Sequence, residues 1–283
     1  IKNNLKNLYK DFRKNPKKTT LTLLNTMMEI IKNNTLFFVF VITNVFIGIL
    51  LRYFTIHTME NLFLLKPILA DLAIVLFLGG ISYLLKEKNR FPYLLVISII
   101  LTLICIINSV YYTFYTSFVS VSLISTSRYA VQVGDAIVEN VMKVQDFVYI
   151  LSPLLLIITH IRLRKVKPIS KKDKRDTKKM ITTFIGAGAV LFFFLISLTP
   201  LEIGRYAKQW NREYIVMRFG VYAYQLNDIV KSIEPQLNTL FGYDKALKTF
   251  NEYYSETPDE QTWTNEYTGI FEGKNILVIH YES

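Results

Sequence analysis

The sequence predicts an all-α polytopic membrane domain with five transmembrane helices, followed by an extracellular helical linker and the first β-strand of an α/β domain. Hydrophobic residues make up 51% of the 283 residues, and the mean hydropathy is +0.28 although 19% of the residues are charged. The apolar residues form blocks about as long as a membrane span, with Lys and Arg concentrated between them. This pattern disfavours a small soluble protein, a disordered chain and a secreted disulfide scaffold. The single Cys105 has no partner for an intramolecular disulfide.

Five apolar blocks are candidates for the spans, because a helix needs roughly 20 residues to cross about 30 Å of hydrocarbon. They define a transmembrane domain over residues 35–198 and comprise residues 35–51, 67–85, 91–110, 147–161 and 180–198. The fourth block is the shortest and contains Pro153, so by itself it also fits a re-entrant or buried helix. The distribution of charge favours a full crossing.

The number of basic residues alternates between successive connecting segments. Lys and Arg number 8, 3 and 10 in residues 1–34, 86–90 and 162–179, but 2 each in residues 52–66 and 111–146. With five spans this is the positive-inside pattern, so we expect a cytoplasmic N-terminal segment and an extracellular segment after the last span. The net charge of +11 then reflects topology and contact with the lipid bilayer. We expect no nucleic acid as a partner, because the longest basic run joins two spans and has no interleaved aromatic residues.

Few polar residues interrupt the blocks. Asp71 stands four residues into the second block, with Lys66 five positions before it, and we favour structural anchoring over a role in lipid handling. The loop before the fourth block has apolar residues at helical spacing, which predicts an amphipathic helix on the outer membrane surface or against the spans. These residues are Ala130, Val133, Ala136, Ile137, Val141 and Val144. Packing is the favoured role of this helix, ahead of substrate contact.

Residues 199–266 are predicted to form the extracellular helical linker. From residue 199 onward, 12 Asp and Glu outnumber 8 Lys and Arg. Thr199, Pro200 and Glu202 have the spacing of a helix N-terminus with a capping box. Two apolar stripes predict two further helices. The turn-forming composition of residues 255–260 predicts a linker. The stripes are Leu226, Ile229, Val230 and Ile233, and Ala246, Leu247, Phe250 and Tyr254.

The last residues predict the start of another domain. Ile276 to Ile279 form an aliphatic run after a turn sequence, which is typical of a strand buried on both faces of a parallel sheet. Glu282 follows the carboxyl end of this strand, where ligands bind in open α/β sheets. One carboxylate does not hold a divalent metal, and His57, His160 and His280 are not clustered in the sequence.

Four stretches carry a family resemblance, and they are YYTFYTSFVSVSLIS at 111–125, GRYAKQWNREYIVMRFGVYAYQLNDIVKSIEP at 204–235, LFGYDKALKTFNEYY at 240–254 and YTGIFEGKNILVIHYES at 267–283. Together they resemble the lipoteichoic acid synthase family of Gram-positive bacteria, membrane-anchored members of the alkaline phosphatase and sulfatase superfamily. The resemblance runs from the first span to the end of the chain. It implies that residues 267–283 are the start of a sulfatase-like catalytic domain.

The resemblance also implies an activity for the full-length protein. Family members transfer glycerol phosphate from phosphatidylglycerol to a polyglycerol phosphate chain on a glycolipid acceptor, leaving diacylglycerol. They use a threonine nucleophile and a manganese ion, which activates the hydroxyl and neutralises phosphate charge. Glu282 matches the family's metal-ligand Glu. The nucleophile and the other ligands are expected beyond Ser283, so the 283-residue piece itself is expected to be inactive. Because the chain begins with Ile1 and not with Met, we also expect that part of the N-terminus is missing.

Alternative functions remain open at this stage. Within the superfamily, the full-length protein could be a lipoteichoic acid primase, which adds only the first glycerol phosphate, or another phospho-headgroup transferase or sulfatase-like enzyme. From a different class, it could be a non-enzymatic membrane scaffold. A transporter is disfavoured, because the five spans show no internal repeat and almost no intramembrane charge.

Overall fold

The computed structural model describes residues 16–56, 64–126, 142–166, 176–241, 243–256, 265–275 and 277–279. It consists of two compact units, Ile1–Ser232 and Ile233–Ser283, and each is described by itself. In the described residues of both units, every regular element is a helix.

Five helices of the first unit are long and apolar enough to cross a membrane. They confirm the predicted fold class, with one helix for each apolar block, and the chain is a multi-pass membrane protein. After α1 (Pro16–Asn33), the spans are α2 (Thr35–Ile56), α3 (Leu65–Ile81) with a 3-10 turn at Ser82–Leu84, α4 (Glu87–Tyr115), a 3-10 stretch at Val144–Ile150 that continues into α5 (Leu151–Val166), and α6 (Thr177–Ile196).

Most spans are longer than the apolar blocks that predict them. Arg52, which we assigned to a loop because of its charge, lies inside α2 and is buried. At the far end of α4, the aromatic residues after position 110 continue the helix to Tyr115. Pro153 is the third residue of α5, at its junction with the 3-10 stretch. The carbonyl oxygen of Tyr149, four residues earlier, accepts a hydrogen bond from the Thr102 hydroxyl in place of an amide at position 153. The proline therefore does not interrupt the fourth span.

The spans pack around α2, which contacts α3, α4 and α5, while α3 also packs closely against α6. Gly79 of α3 allows one of these contacts to be close. A Cβ atom at this position would lie 2.8 Å from a ring carbon of Phe37 and 3.1 Å from one of Phe40. Small residues at such contacts are a common means of helix association in membranes, because they allow two backbones to approach.

Polar side chains connect the spans in the middle of the bundle. The Oγ atoms of Ser98 and Ser152 lie 3.0 Å apart, and Ser152 Oγ donates a hydrogen bond to Thr43 Oγ1 at 2.9 Å. The buried Asn44 donates to the carbonyl oxygen of Phe40 in its own helix. These bonds link α2, α4 and α5 where no water is present to satisfy the hydroxyl groups.

The two ends of the bundle differ in their charge. At one end, which we call the proximal end, Tyr83 donates to Asn34 and has Arg90 and Lys179 over its ring at 5.2 and 5.8 Å. The other end, where α2 and α4 finish, is the distal end. Most of the described Lys and Arg side chains of the loops flank the proximal ends of the spans.

After the last span, three helices follow: α7 (Pro200–Lys208), α8 (Arg212–Phe219) and α9 (Val221–Phe241). The predicted start of α7 is confirmed, since Thr199 and Glu202 form a capping box with Pro200 in the first turn. α8 packs against α3 and α2, and its residues Ile215 and Val216 are fully buried. Part of the segment that we predicted as an extracellular linker is therefore inserted among the spans.

The buried face of α9 differs from the stripe that predicts this helix. Leu226 and Val230 are 50% and 63% exposed, whereas Tyr222, Gln225 and Asp228 are buried. The buried face is polar and satisfied by hydrogen bonds, so it is invisible to a search for apolar periodicity. The stripe found the helix but assigned the wrong face to its packing.

The second unit contains the end of α9 and α10 (Tyr243–Glu256), in agreement with the second stripe. Ser255 and Glu256 of the predicted linker are the last residues of α10, and the rest of that linker lies outside the described residues.

Residues 277–279 are not assigned to a strand, and their side chains are exposed. A single strand has no hydrogen-bonding partner here, because the described residues contain no other strand. The amphipathic helix predicted before the fourth span falls on residues 130–144, and its residues up to position 141 lie outside the described part of the chain.

We predict that Gly79→Val destabilises the bundle by about 1–3 kcal/mol, because the added atoms overlap the buried rings of Phe37 and Phe40. Gly186→Val is the matched control, since no atom lies within 4 Å of a Cβ at that position of α6. Thermal unfolding of both variants in the same detergent measures the difference. Equal shifts of the melting temperature would mean that close packing at Gly79 does not contribute.

Candidate functional site: a polar cluster at the distal end

Asp71 is the centre of a buried polar cluster near the start of α3. Its side chain is 1% exposed, and its carboxylate accepts hydrogen bonds from the backbone amides of Tyr222 at 3.0 Å and Val221 at 3.4 Å. These amides belong to the first turn of α9, where a helix has unsatisfied donors and a partial positive charge. A carboxylate from one span therefore caps a helix that begins 150 residues later in the chain.

The approach of α9 to Asp71 depends on Gly220. This residue has a φ of +84°, which residues with a Cβ rarely adopt. A Cβ here would also overlap the Asp71 carboxylate. Gly48 of α2 leaves room on the other side, because a Cβ on it would lie only 3.2 Å from Asp71 Oδ2. Two glycines thus make space for one buried carboxylate.

Arg52 supplies the counter-charge. It is 4% exposed and is attracted electrostatically to Asp71. Its Nε, Nη1 and Nη2 atoms are buried and form no hydrogen bond within the part of the chain that the structure describes. A buried guanidinium without hydrogen bonds depends on an opposite charge nearby, and Asp71 supplies that charge among the described residues.

The first turns of α9 are held by further contacts with the bundle. The Tyr222 hydroxyl donates to the carbonyl oxygen of Asn44 at 2.7 Å, deep in α2, and Asn108 Nδ2 donates to Gln225 Oε1 at 3.3 Å. Asp228 accepts hydrogen bonds from Ser120 Oγ at 2.8 Å and from the amide of Val121. The helix start is thus bonded to α2, to α3, to α4 and to the segment after α4.

A second ion pair ties the start of α7 to the start of α3. Lys66 Nζ lies 2.9 Å from both carboxylate oxygens of Glu202. Burial raises the pKa of Glu202, but hydrogen bonds from Lys66 and Thr199 outweigh this effect and hold the pKa below its ordinary value. Glu202 is therefore both a member of a capping box and one half of an ion pair.

The structure assigns separate partners to the two polar residues that the sequence placed together. Lys66 pairs with Glu202, and Asp71 binds the start of α9. Arg52 and Gly220 were not predicted, although a charge at the edge of an apolar block was a usable signal for Arg52. Asp71 itself serves as an anchor for packing, which is the role that we favoured.

The predicted metal ligand and histidine positions are not brought together by the described residues. Glu282, His57 and His280 lie outside them, and His160 stacks on Phe91 near the end of α5. Among the described residues, no group of three or more His, Cys, Asp and Glu is placed to hold a metal ion. The chemistry of this part of the chain is thus charge pairing and hydrogen bonding within a membrane bundle.

Five spans, with the start of α9 bonded to them through a buried carboxylate, define a polytopic membrane domain. A family model described as "Lipoteichoic acid synthase N-terminal domain" matches residues 14–239 of the chain. The chain therefore belongs to the lipoteichoic acid synthase N-terminal domain family. The matched residues include all five spans and nearly the whole of α9.

Curated relatives support the same family. A protein named lipoteichoic acid synthase from Staphylococcus saprophyticus is 28% identical over 270 residues, which is 90% of this chain and 40% of that protein. One of the same name from Staphylococcus aureus is 28% identical over 227 residues, 79% of this chain and 33% of that protein. The chain thus spans well under half the length of these relatives. No solved structure matches the chain.

We predict that Asp71→Ala destabilises the protein by about 3–5 kcal/mol, because it removes the acceptor for two amides and leaves Arg52 as an unpaired buried charge. Asp71→Ala combined with Arg52→Met is expected to recover part of this loss. Thermal unfolding in detergent measures the stability, and hydrogen exchange of residues 221 and 222 locates the change at the start of α9.

Asp176→Ala is the matched control, because Asp176 also caps a helix, α6, but is partly exposed. Its loss is expected to cost about 1 kcal/mol, as is usual for an N-cap. An Asp71 variant that is no less stable than the Asp176 variant would contradict the role given to Asp71.

Proposed function

We propose that this chain is the membrane-anchoring part of a glycerol phosphate transferase of lipoteichoic acid synthesis. The whole enzyme would use phosphatidylglycerol as donor, extend polyglycerol phosphate on a glycolipid acceptor and release diacylglycerol. The observation that carries the proposal is the family match over residues 14–239, which covers the five spans, α7, α8 and nearly all of α9. The names of the curated relatives support a role in the synthesis of this polymer.

The length of the relatives supports placing the catalytic residues outside the 283 residues. The chain matches 40% and 33% of the two relatives, so most of each relative lies beyond the matched part. We propose that manganese is the cofactor of the whole enzyme and that Glu282 is one of its ligands. The 283-residue chain by itself would then be inactive.

We further propose that the proximal end faces the cytoplasm and the distal end faces outward. Lys86, Lys88 and Arg90 flank the proximal end of α4, and basic residues also follow α5 and precede α6. At the distal end, Arg52 is buried and its charge acts on Asp71, and Lys66 is paired with Glu202. The positive-inside rule supports this orientation. An anchor in this orientation holds the enzyme at the outer leaflet and raises its effective concentration at a lipid donor.

Labelling of single cysteines by a membrane-impermeant maleimide tests the orientation. We expect Lys208→Cys, in α7 after the last span, to react in intact cells, and Lys88→Cys at the proximal end to react only after permeabilisation. Both positions are exposed, while the native Cys105 is fully buried and gives little background. The reverse pattern of labelling would contradict the orientation without affecting the fold.

The activity is tested with the full-length product of the gene, reconstituted in vesicles that contain phosphatidylglycerol. We expect release of diacylglycerol that requires manganese, and no release by the 283-residue chain alone. Glu282→Gln should lower the rate at least about tenfold, as expected for loss of a metal contact. Glu272→Gln, the same change at an exposed turn residue, is the control.

The length of the product separates the possible members of this class. A polymer indicates a synthase, whereas addition of a single glycerol phosphate indicates a primase. No release of diacylglycerol by the full-length protein, or equal loss in both Glu variants, would overturn the assignment.

A further inference from the structure

A cavity of about 330 Å³ opens at the distal end of the bundle, between α2, α4 and the residues at the start of the 3-10 stretch Val144–Ile150. Its volume falls in the range of small-molecule sites. Five of the residues that line it carry a hydroxyl group: Thr55, Ser109, Tyr112, Thr113 and Thr116, of which Thr55 and Ser109 are buried. A wall with so many oxygen atoms at the end of an apolar bundle indicates a polar ligand.

Each hydroxyl group of the wall already donates a hydrogen bond to another group of the protein. Ser109 Oγ donates to Asp146 at 2.5 Å and accepts from the Tyr149 hydroxyl at 3.3 Å, and Tyr112 donates to Glu213. The threonine hydroxyls donate to backbone carbonyls in or at the end of their own helices. What these groups offer to a ligand is therefore the remaining lone pairs of their oxygen atoms. A complementary ligand must itself be a hydrogen-bond donor, as a hydroxylated headgroup is.

Lys143 gives the cavity its charge. It is exposed, and its ammonium group forms no ion pair within the stretches that the structure describes. The two carboxylates that are bonded to wall residues are already engaged, because Asp146 accepts from Ser109 and from the Lys143 amide, and Glu213 accepts from Tyr112. Lys143 and the amide of Gln145 are thus the donors available for an anionic group.

Apolar side chains surround the cavity and are exposed on the surface of the bundle. Val144, between the lining residues Lys143 and Gln145, is 88% exposed, and Phe147 is also exposed. At the end of α4, Phe114 and Tyr115 are exposed as well. Aromatic and aliphatic side chains in such positions are typical of the membrane interface. A ligand with a polar head and acyl chains matches this arrangement better than a soluble one.

We propose that this cavity binds the headgroup of an anionic phospholipid that carries free hydroxyl groups. Lys143 binds the phosphate, and the oxygen atoms of the wall accept hydrogen bonds from the headgroup hydroxyls. The acyl chains lie along the exposed side chains of Val144 and Phe147. The site belongs to the anchor itself, so its occupation is measurable without any catalytic activity and stands or falls independently of the proposed transferase.

Native mass spectrometry of the delipidated 283-residue chain in detergent tests the site. The lipids are phosphatidylglycerol, phosphatidic acid and phosphatidylcholine with identical acyl chains. We expect phosphatidylglycerol to bind at least about fivefold more tightly than phosphatidylcholine, which is zwitterionic and has no headgroup donor. Lys143→Met should weaken both anionic lipids about fivefold. Lys88→Met, the same change at the proximal end, should leave them unchanged.

A second variant separates hydrogen bonding from charge. Thr113→Val keeps the shape of the side chain and removes one acceptor, so it should weaken phosphatidylglycerol about threefold and leave phosphatidic acid unaffected. Thermal unfolding of each variant checks that the bundle is intact.

Three results would overturn the proposal. The first is equal affinity for phosphatidylglycerol and phosphatidylcholine. The second is an equal loss in Lys143→Met and Lys88→Met, which would reduce the effect to general electrostatic attraction. The third is binding of free glycerol phosphate as tightly as the lipid, which would make the ligand a soluble anion.

Discussion

A carboxylate buried in a membrane bundle needs its full set of partners within the protein, and Asp71 shows how this demand organises the distal half of the chain. The bilayer offers no water to satisfy a charged oxygen. Asp71 obtains two amide donors from the first turn of α9 and a positive charge from Arg52. Each partner brings its own constraint, since Gly220 must have a positive φ and Gly48 must lack a side chain. Asp71 thus fixes the start of α9 against the spans, where further hydrogen bonds and the buried face of α8 add to its effect.

The remaining polar contacts have a common logic. Hydroxyl and amide groups inside the bundle lie where helices meet, as with Ser98 and Ser152, and apolar side chains face outward, as along α6. Near the distal end the polar groups become numerous and connect helices that are far apart in sequence. Lys66 and Glu202 are separated by 136 residues, and Ser120 and Asp228 by 108. The distal end is therefore bonded together by polar contacts, whereas the middle of the bundle relies mainly on close packing.

The sequence predicts local features of this protein well and long-range ones poorly. Apolar length located all five spans, and the Thr199 capping box was identified because its two residues are three apart. The insertion of α8 and α9 was missed, because the charged and polar residues around Arg212 and Asp228 are typical of surface helices. Apolar periodicity chose the wrong face of α9, since Tyr222 and Gln225 are buried by hydrogen bonds. Arg52 was placed in a loop, because its partner on α3 is visible only once the two helices are packed.

The pairing of Asp71 with α9 also has a consequence for the order in which the protein is made. The amides that bind Asp71 follow it by 150 and 151 residues, so at a synthesis rate of roughly 5–20 residues per second they emerge about 8–30 s later. Arg52 precedes Asp71 in the chain and is available throughout this interval. The positive charge that acts on Asp71 in the finished bundle is therefore already part of the chain before the α9 amides are synthesised.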